Sequence, residues 1–410
     1  MTSVVIVGGG PAGLACAVEL RRHGIDDVIV LEREATAGGI PRHAVHQGFG
    51  LRDLHRVMSG PRYARRYVEL ARSAGAEIRE QTMVTHLAAD GTIETTSPRG
   101  REVIEPRALV LATGCRERPR SARLVAGSRP DGVMTTGLLQ QRVYIHGERI
   151  GGRALIVGAE HVSFSAVLTL AHAGASVVAM VTELPRHQSL LVARVGVAAR
   201  YRTPIYTQTR VNAIHGHTNV EEVELLEIEG GTTRRVQCDT VVFTADWIPD
   251  HELASMAGLT LDDGSRGPRV DTALRTEREG IFAAGNLVHA AEPADVAALG
   301  GRRAAASVVQ WLCDQAWPRR GVPISCEAPL QWMAPNAVSG AGDIPPRGRF
   351  ALRCAAFVRR PKIEIRQEGR LLWTGGTKRL VPGRSAVIPW EWIRSVDPGG
   401  EAVAVRLVRR

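Results

Sequence analysis

The chain has 410 residues, 44% of them hydrophobic and 23% charged, which is ordinary for a globular protein and predicts two to four domains at about 100–200 residues each. The formal net charge is +10, and lysine occurs only at Lys362 and Lys378, so arginine carries almost all of the positive charge. The arginines are spread out and no basic tract is interleaved with aromatics. This disfavours a nucleic-acid partner and suits small anionic ligands such as phosphates. The six cysteines, Cys16, Cys115, Cys238, Cys313, Cys326 and Cys354, form no C-x-x-C pair and show no zinc spacing. That argues against a disulfide framework, a local dithiol pair and a metal centre. The first strand starts within "MTSVVIVGGG", which leaves no room for a secretory signal. No uncharged apolar run reaches the roughly 18 residues of a spanning helix. The expectation is a cytoplasmic protein without a membrane span.

The opening stretch "SVVIVGGGPAGLACAVELRRHG" predicts a strand, a glycine turn and a helix. Gly8, Gly10 and Gly13 fit G-x-G-x-x-G. The first glycine permits the sharp turn, the second lets the backbone approach a pyrophosphate, and the third lets the helix pack close to the strand. Pro11 and Ala12 open the helix, whose N-terminal N–H groups and partial positive charge favour phosphate. The next strand, "DDVIVLERE", ends at Glu32, nineteen positions after Gly13, with Arg33 beside it. An acid at that distance accepts hydrogen bonds from ribose hydroxyls. These residues predict a dinucleotide site.

After Glu32 the chain runs through Gly38 and Gly39 to His43 and His46. A histidine titrates near neutrality, so either can exchange a proton in a two-electron reaction; a structural role is the alternative, and His46 is preferred because "HQGFG" forms a turn that can aim it. An apolar strand then ends at Ala112, Thr113 and Gly114, followed by Cys115 and the run "RERPRSAR". The run is either a steering surface for an anionic substrate or a solvated hinge. "GSRPDGVMTTG" (127–137) has the Gly, Pro and Ser content of a hinge.

Residues 151–182 repeat the layout of the first 31, but the turn is altered. Its fingerprint positions hold Gly158, Glu160 and Ser163, and the ribose position holds Thr182 with Glu183 next to it. A carboxylate about 4 Å from a phosphate charge costs about 4 kcal/mol at an effective dielectric of about 20, an upper bound if the side chain swings away. The paired strand "DTVVFTADWIPDHEL" ends in Ala245-Asp246, where a glycine would be expected. Two outcomes stay open: a domain that keeps its fold and loses NAD(P), which is preferred, or one that binds NAD(P)H in an adjusted pose. Arg186 and His187 could contact a 2′-phosphate in the second case.

The segment 276–312 contains "GIFAAGN", ending at Gly285-Asn286, and then a helix. From about Pro323 the pattern changes to short strands split by Gly and Pro turns, as in "GRFALRCAAFV", "KIEIRQEG", "RLLWTGGTKRLV" and "AVAVRLVRR", which predicts a small β-rich module. "IPWEWIRSVD" places two tryptophans close together, for core packing or for docking to another subunit.

With the opening turn, the Ala-Thr-Gly turn and the late glycine segment in view, the chain resembles the pyridine nucleotide–disulfide oxidoreductases. The resemblance runs from about residue 3 to 316. It implies that the first turn holds FAD, with Gly8, Gly10, Pro11, Ala12, Gly13, Glu32, Arg33, Gly39, Ala112, Thr113, Gly114, Gly285 and Asn286 around it. The family has an aspartate for the ribityl–phosphate part where this chain has Asn286. "GGIPRHAVHQGFGLRDL", "ATGCRERPRSARLVAGSRPDGVMTTGLLQ" and "PLQWMAPN" resemble more narrowly the FAD subunits of amine and amino-acid dehydrogenases, opine oxidase and hydrogen cyanide synthase. The implied fold is α/β. It has two Rossmann-like domains, an FAD domain of residues 1–120 and 275–318 interrupted by an NAD(P)-binding-like domain of 150–270, plus a β-rich module of 322–410. The implied function is FAD-dependent two-electron transfer between a small amine, amino acid or hydroxy compound and a partner subunit, second flavoprotein or other acceptor. NAD(P)H-dependent reduction through the second site is the alternative, and an electron-transfer subunit without substrate chemistry of its own is a third.

Overall fold

The run Val4, Val5, Ile6 and Val7 is buried on both faces of the first strand, the signature of a parallel sheet covered on two sides. The computed structural model describes residues 2–189, 200–318, 321–339 and 343–408. In it this strand, Thr2–Val7, lies at the centre of a five-stranded sheet, in the order Ile281–Ala283, Pro106–Leu111, Thr2–Val7, Val28–Leu31, Glu77–Arg79. All four pairings are parallel. The helices Pro11–Arg22 and Ala294–Asp314 pack closely: a Cβ on Gly301 would lie 1.9 Å from the Ala12 carbonyl oxygen. Only glycine permits that approach.

The chain divides into two units. One comprises Met1–Arg42, Gln47–Cys115 and Pro249–Arg410, the other His43–His46 and Arg116–Ile248. The second has its own five-stranded parallel sheet, in the order Val133–Thr135, Thr240–Phe243, Arg153–Val157, Ser176–Val181, Ile205–Tyr206. A four-stranded sheet accompanies it. These boundaries differ from the sequence expectation for physical reasons. Ala126–Gly127 pairs with Thr209–His215, and Val133–Thr135 pairs with Thr240–Phe243, so the stretch expected as a hinge is built into the second unit's sheets. At the other end, Leu259, Val270 and Leu274 are buried in the first unit's core, so the second unit stops well before residue 270.

The C-terminal module, within the first unit, is β-rich. Its five-stranded sheet contains Val322–Cys326, Lys362–Gln367, Arg370–Gly376 and Val403–Val408, and a three-stranded sheet contains Leu330–Ala334, Arg349–Cys354 and Ala386–Pro389. Trp392 is buried against Phe350 in the module's own core, and Trp390 packs at its edge. Core packing thus accounts for the tryptophan pair.

Candidate functional site

The geometry of the opening turn fits a pyrophosphate. Gly8 has φ +111°, and a Cβ there would meet the Ala112 carbonyl oxygen at 2.4 Å. A Cβ on Gly13 would meet the Gly8 carbonyl oxygen at 2.0 Å. Gly10 is different: the nearest atom to a Cβ there is the Gly39 Cα at 4.0 Å. The fold therefore has room for a side chain at Gly10, and what requires glycine is the space over the helix end. Gly10 is the N-cap of Pro11–Arg22 and no side chain caps that helix, which leaves its first N–H groups for an anion.

Glu32 ends the second strand, buried at 6% exposure. Its carboxylate accepts from the Gly9 N–H at 3.0 Å and the Glu34 N–H at 2.8 Å. Burial pushes its pKa up, and these two N–H groups oppose that shift. Carboxylate lone pairs remain for ribose hydroxyls. Gly39, at φ +63°, folds against the turn; its Cβ would lie 2.9 Å from the Gly10 Cα. The Ala112 N–H donates to the Val7 carbonyl, Thr113 Oγ1 donates to the Asp250 carbonyl at 2.7 Å, and the Gly114 carbonyl accepts from the Asp250 N–H. Arg33 reaches the Asp250 carboxylate at 3.4 Å. Asp250 thus ties three of the expected residues together; the sequence flagged nothing there, because its partners lie far away in the chain. Gly285 packs against Ala12, where a Cβ would come within 2.6 Å of the alanine methyl. The uncapped helix end, the open space over Gly10 and the buried acid at the ribose position fit the adenosine diphosphate half of FAD.

The Asn286 amide is held by the loop that follows it and keeps a second N–H and a second lone pair for a ligand. Its Nδ2 donates to the Glu292 carbonyl at 3.1 Å and its Oδ1 accepts from the Glu292 N–H at 2.9 Å. The amide closes the 286–292 loop, so its polar atoms shape this corner.

His43 is buried at 3% exposure, with Nδ1 3.4 Å from Gln140 Oε1. Gln140 in turn donates to Ser165. His46 is exposed. Cys115 is buried. Three arginines of "RERPRSAR" act as internal clamps. Arg120 donates to the carbonyls of Val125, Ala126 and Ser128. Arg123 donates to those of Arg118, Thr244 and Ala245. Arg118 pairs with Asp246 at 2.9 Å. Ala245 and Asp246 both have positive φ, 53° and 52°, a conformation that costs about 1–2 kcal/mol per residue without glycine. The two arginines hold that bend.

The second turn is filled from within. Glu160 is the N-cap of the helix His161–His172 and forms a reciprocal capping box with Ser163. Its Oε1 accepts the Ser163 hydroxyl at 2.8 Å, and Ser163 Oγ lies 2.7 Å from Thr244 Oγ1. A Cβ on Gly158, at φ +139°, would meet Thr244 Oγ1, Glu160 Oε2 and Ser163 Oγ within 3 Å. The Glu160 carboxylate therefore lies at the helix end where a pyrophosphate would bind. Beside it is Glu117, buried and missed from sequence because a lone acid within an arginine run looks solvated. It accepts the Gly137 N–H at 2.8 Å. Burial foremost, with the Glu160 charge adding to it, pushes its carboxyl up to about 7. Thr182 is buried, and His187 Nδ1 lies 3.0 Å from the Ser189 hydroxyl.

Residues 2–301 match the family model described as pyridine nucleotide-disulphide oxidoreductase. Hydrogen cyanide synthase subunit HcnB of Pseudomonas protegens is 24% identical over 80% of this chain and 72% of its own length. An opine oxidase subunit of Agrobacterium tumefaciens is 26% identical over 74% of this chain, which covers 64% of it, and apoptosis-inducing factor 3 of Homo sapiens is 26% identical with 46% covered. The thioredoxin reductase of Treponema pallidum is 25% identical over 69% of this chain and 88% of its own. Identities this even do not single out the cyanide synthase and opine oxidase subunits. Among solved structures, T. acidophilum thioredoxin reductase superposes with a TM-score of 0.65 over 76% of this chain and 99% of that one, at 22% identity, and shares the fold. Among the described residues no helix is long and apolar enough to cross a membrane. The chain belongs to the pyridine nucleotide-disulphide oxidoreductase family, as an FAD-binding oxidoreductase.

Proposed function

We propose that the chain carries two electrons through FAD between a nicotinamide nucleotide and a small organic substrate. The observation that carries this reading is the second nucleotide domain, which keeps a complete parallel sheet and a strand-to-helix turn at Gly158, within the span of the family model. The NAD-dependent persulfide reductase of A. fulgidus shares the fold at a TM-score of 0.60, and a ferredoxin–NADP reductase of Ignicoccus hospitalis is 23% identical over 77% of the chain. A disulfide substrate suits this chain poorly. It has no C-x-x-C pair, and burial raises the thiols of Cys16, Cys238 and Cys326. FAD supplies the hydride chemistry when bound, and the protein contributes its binding, orientation and electrostatics. On its place in the sequence His46 is our candidate for proton exchange; His46→Gln should slow turnover and leave FAD content unchanged.

Glu160 favours a second reading. Its carboxylate opposes a pyrophosphate, which suits a dehydrogenase in which a small amine, amino acid or hydroxy compound reduces FAD and a partner subunit takes the electrons. Anaerobic stopped-flow mixing of the oxidised protein with NADH or NADPH separates the two. Rapid bleaching of the flavin supports the nicotinamide reading. Bleaching by small amines or hydroxy acids alone supports the second.

A further inference from the structure

Within the first unit, a cavity of about 230 Å³ lies between the 285–292 loop, the start of the helix Ala294–Asp314 and the C-terminal module. Its lining includes Arg52, His289, Glu292, Arg347 and Arg349 and, on the side of the residues expected around FAD, Gly285 and Asn286. The carboxylates around it already have partners. Asp295 holds Arg52 at 3.0 Å, and Glu292 takes Arg353 at 3.6 Å together with the Ser385 hydroxyl. Among the described residues no carboxylate lies within ion-pair distance of Arg347 or Arg349. The Nε of Arg349 donates to the Arg347 carbonyl at 3.2 Å. Arg347 stands at φ +62° in the turn Pro346–Gly348, a strained conformation of the kind that persists only where the surroundings impose it. Four guanidiniums thus face two carboxylates.

His289 adds a second, independent observation. Its Nδ1 is buried without a hydrogen-bond partner among the described residues. Its ring packs 4.9 Å from Trp332, over which Arg353 also lies at 4.9 Å. Burial foremost, and Arg353, hold the imidazole down to about 4, with Glu292 opposing, so it is neutral near pH 7. Burial and then the neighbouring Arg349 and Arg52 also disfavour the charge on Arg347, which a bound anion would relieve.

We propose that this cavity binds a small carboxylate, its anionic end taken by Arg347 and Arg349 and its body resting on Val296 and Pro346. Planar guanidinium forks match carboxylate geometry in two parallel hydrogen bonds. The volume is below the roughly 300–1,000 Å³ of ordinary ligand pockets, so it suits a molecule of a few carbons and excludes a nucleotide. As a substrate class this rests on the proposed function; as a binding site it rests on the cavity, which adjoins the FAD residues Gly285 and Asn286.

The test is calorimetric titration of the FAD-loaded protein with pyruvate, glycolate, L-alanine and inorganic phosphate. At least one carboxylate should bind more tightly than phosphate. Arg347→Ala with Arg349→Ala should weaken it about tenfold or more, the loss expected for a charged hydrogen-bond pair. Flavin absorbance should stay at the wild-type level; if the double variant loses flavin, Arg347→Ala alone gives the same readout. No carboxylate binding to the wild type, binding unchanged in the variants, or tighter binding of phosphate would overturn the proposal. A flavin that NADH, NADPH and the organic compounds all fail to reduce would sink the proposed function and leave the binding result standing.

Discussion

Replacing Glu160 by glycine removes the carboxylate that caps the second-domain helix and lies over Gly158. Two unit charges about 4 Å apart repel by about 4 kcal/mol at an effective dielectric of about 20. Glu160 is only half-buried, so water screens part of that, and about half, roughly 2 kcal/mol, corresponds to about thirtyfold in affinity. The helix loses its cap at the same time. Cap removal costs about 1 kcal/mol at a typical site and less with glycine, which lowers Tm by about 2–4 °C in a domain of this size. Glu160→Gln keeps an acceptor for the Ser163 hydroxyl and drops the charge. It should therefore recover most of the affinity with a smaller loss of Tm. The assay is a fluorescence titration of NADH and NADPH into the wild type and both variants, with thermal melts in parallel. The account predicts tighter nicotinamide binding in both. Equal affinity in all three proteins, with Tm lowered as expected, would refute the idea that this carboxylate competes with the pyrophosphate.

Glu117 makes stability depend on pH. Its folded value of about 7 stands above its ordinary 4.5, so the folded state keeps a proton that the unfolded state has released. The associated stability is full below about 4.5 and is lost as the pH rises through about 7, a loss on the order of 3 kcal/mol. Glu117→Gln should flatten the difference between urea melts at pH 5 and pH 8; an unchanged difference would place the effect elsewhere. Gly13→Ala should abolish folding or FAD retention, because the methyl meets the Gly8 carbonyl at 2.0 Å; a normal far-ultraviolet spectrum with full flavin would contradict the close turn. A thiol reagent should label the exposed Cys313 quickly and the buried Cys16, Cys115, Cys238 and Cys354 slowly in the native protein. Rapid labelling of Cys115 would show that its position after the Ala-Thr-Gly turn is open to solvent.

What the sequence made legible was local. Three glycines and an acid nineteen residues on define a turn whose chemistry resides in neighbouring backbone, and the structure has Gly8, Gly13 and Gly39 in close backbone contacts. The two sheets followed from the strand–turn–helix layout of the first 31 residues and its repeat over 151–182. The rest depends on where side chains turn. Glu160 was visible as a charge in the wrong place, but its pairing with Ser163, an inverted capping box in the letters E-x-x-S, decides that the charge points into the turn. Asn286 was legible as a ligand residue by position, but the backbone contacts with Glu292 that hold its amide in place were not. The extent of the second unit escaped because Leu259, Val270 and Leu274 are buried in a core whose other members lie far away in the chain. The charged cavity joins Arg52 to Arg347 and Arg349, positions that no local pattern connects.

Gly10 tests the FAD assignment most directly, since the fold leaves room for a methyl there and only a ligand requires the space. The flavin released by denaturing equal amounts of wild-type and Gly10→Ala protein should be separated and quantified. The account predicts FAD, one per chain in the wild type, and a folded variant that has lost most of it. Equal FAD in both proteins, FMN in place of FAD, or no flavin in either would contradict it.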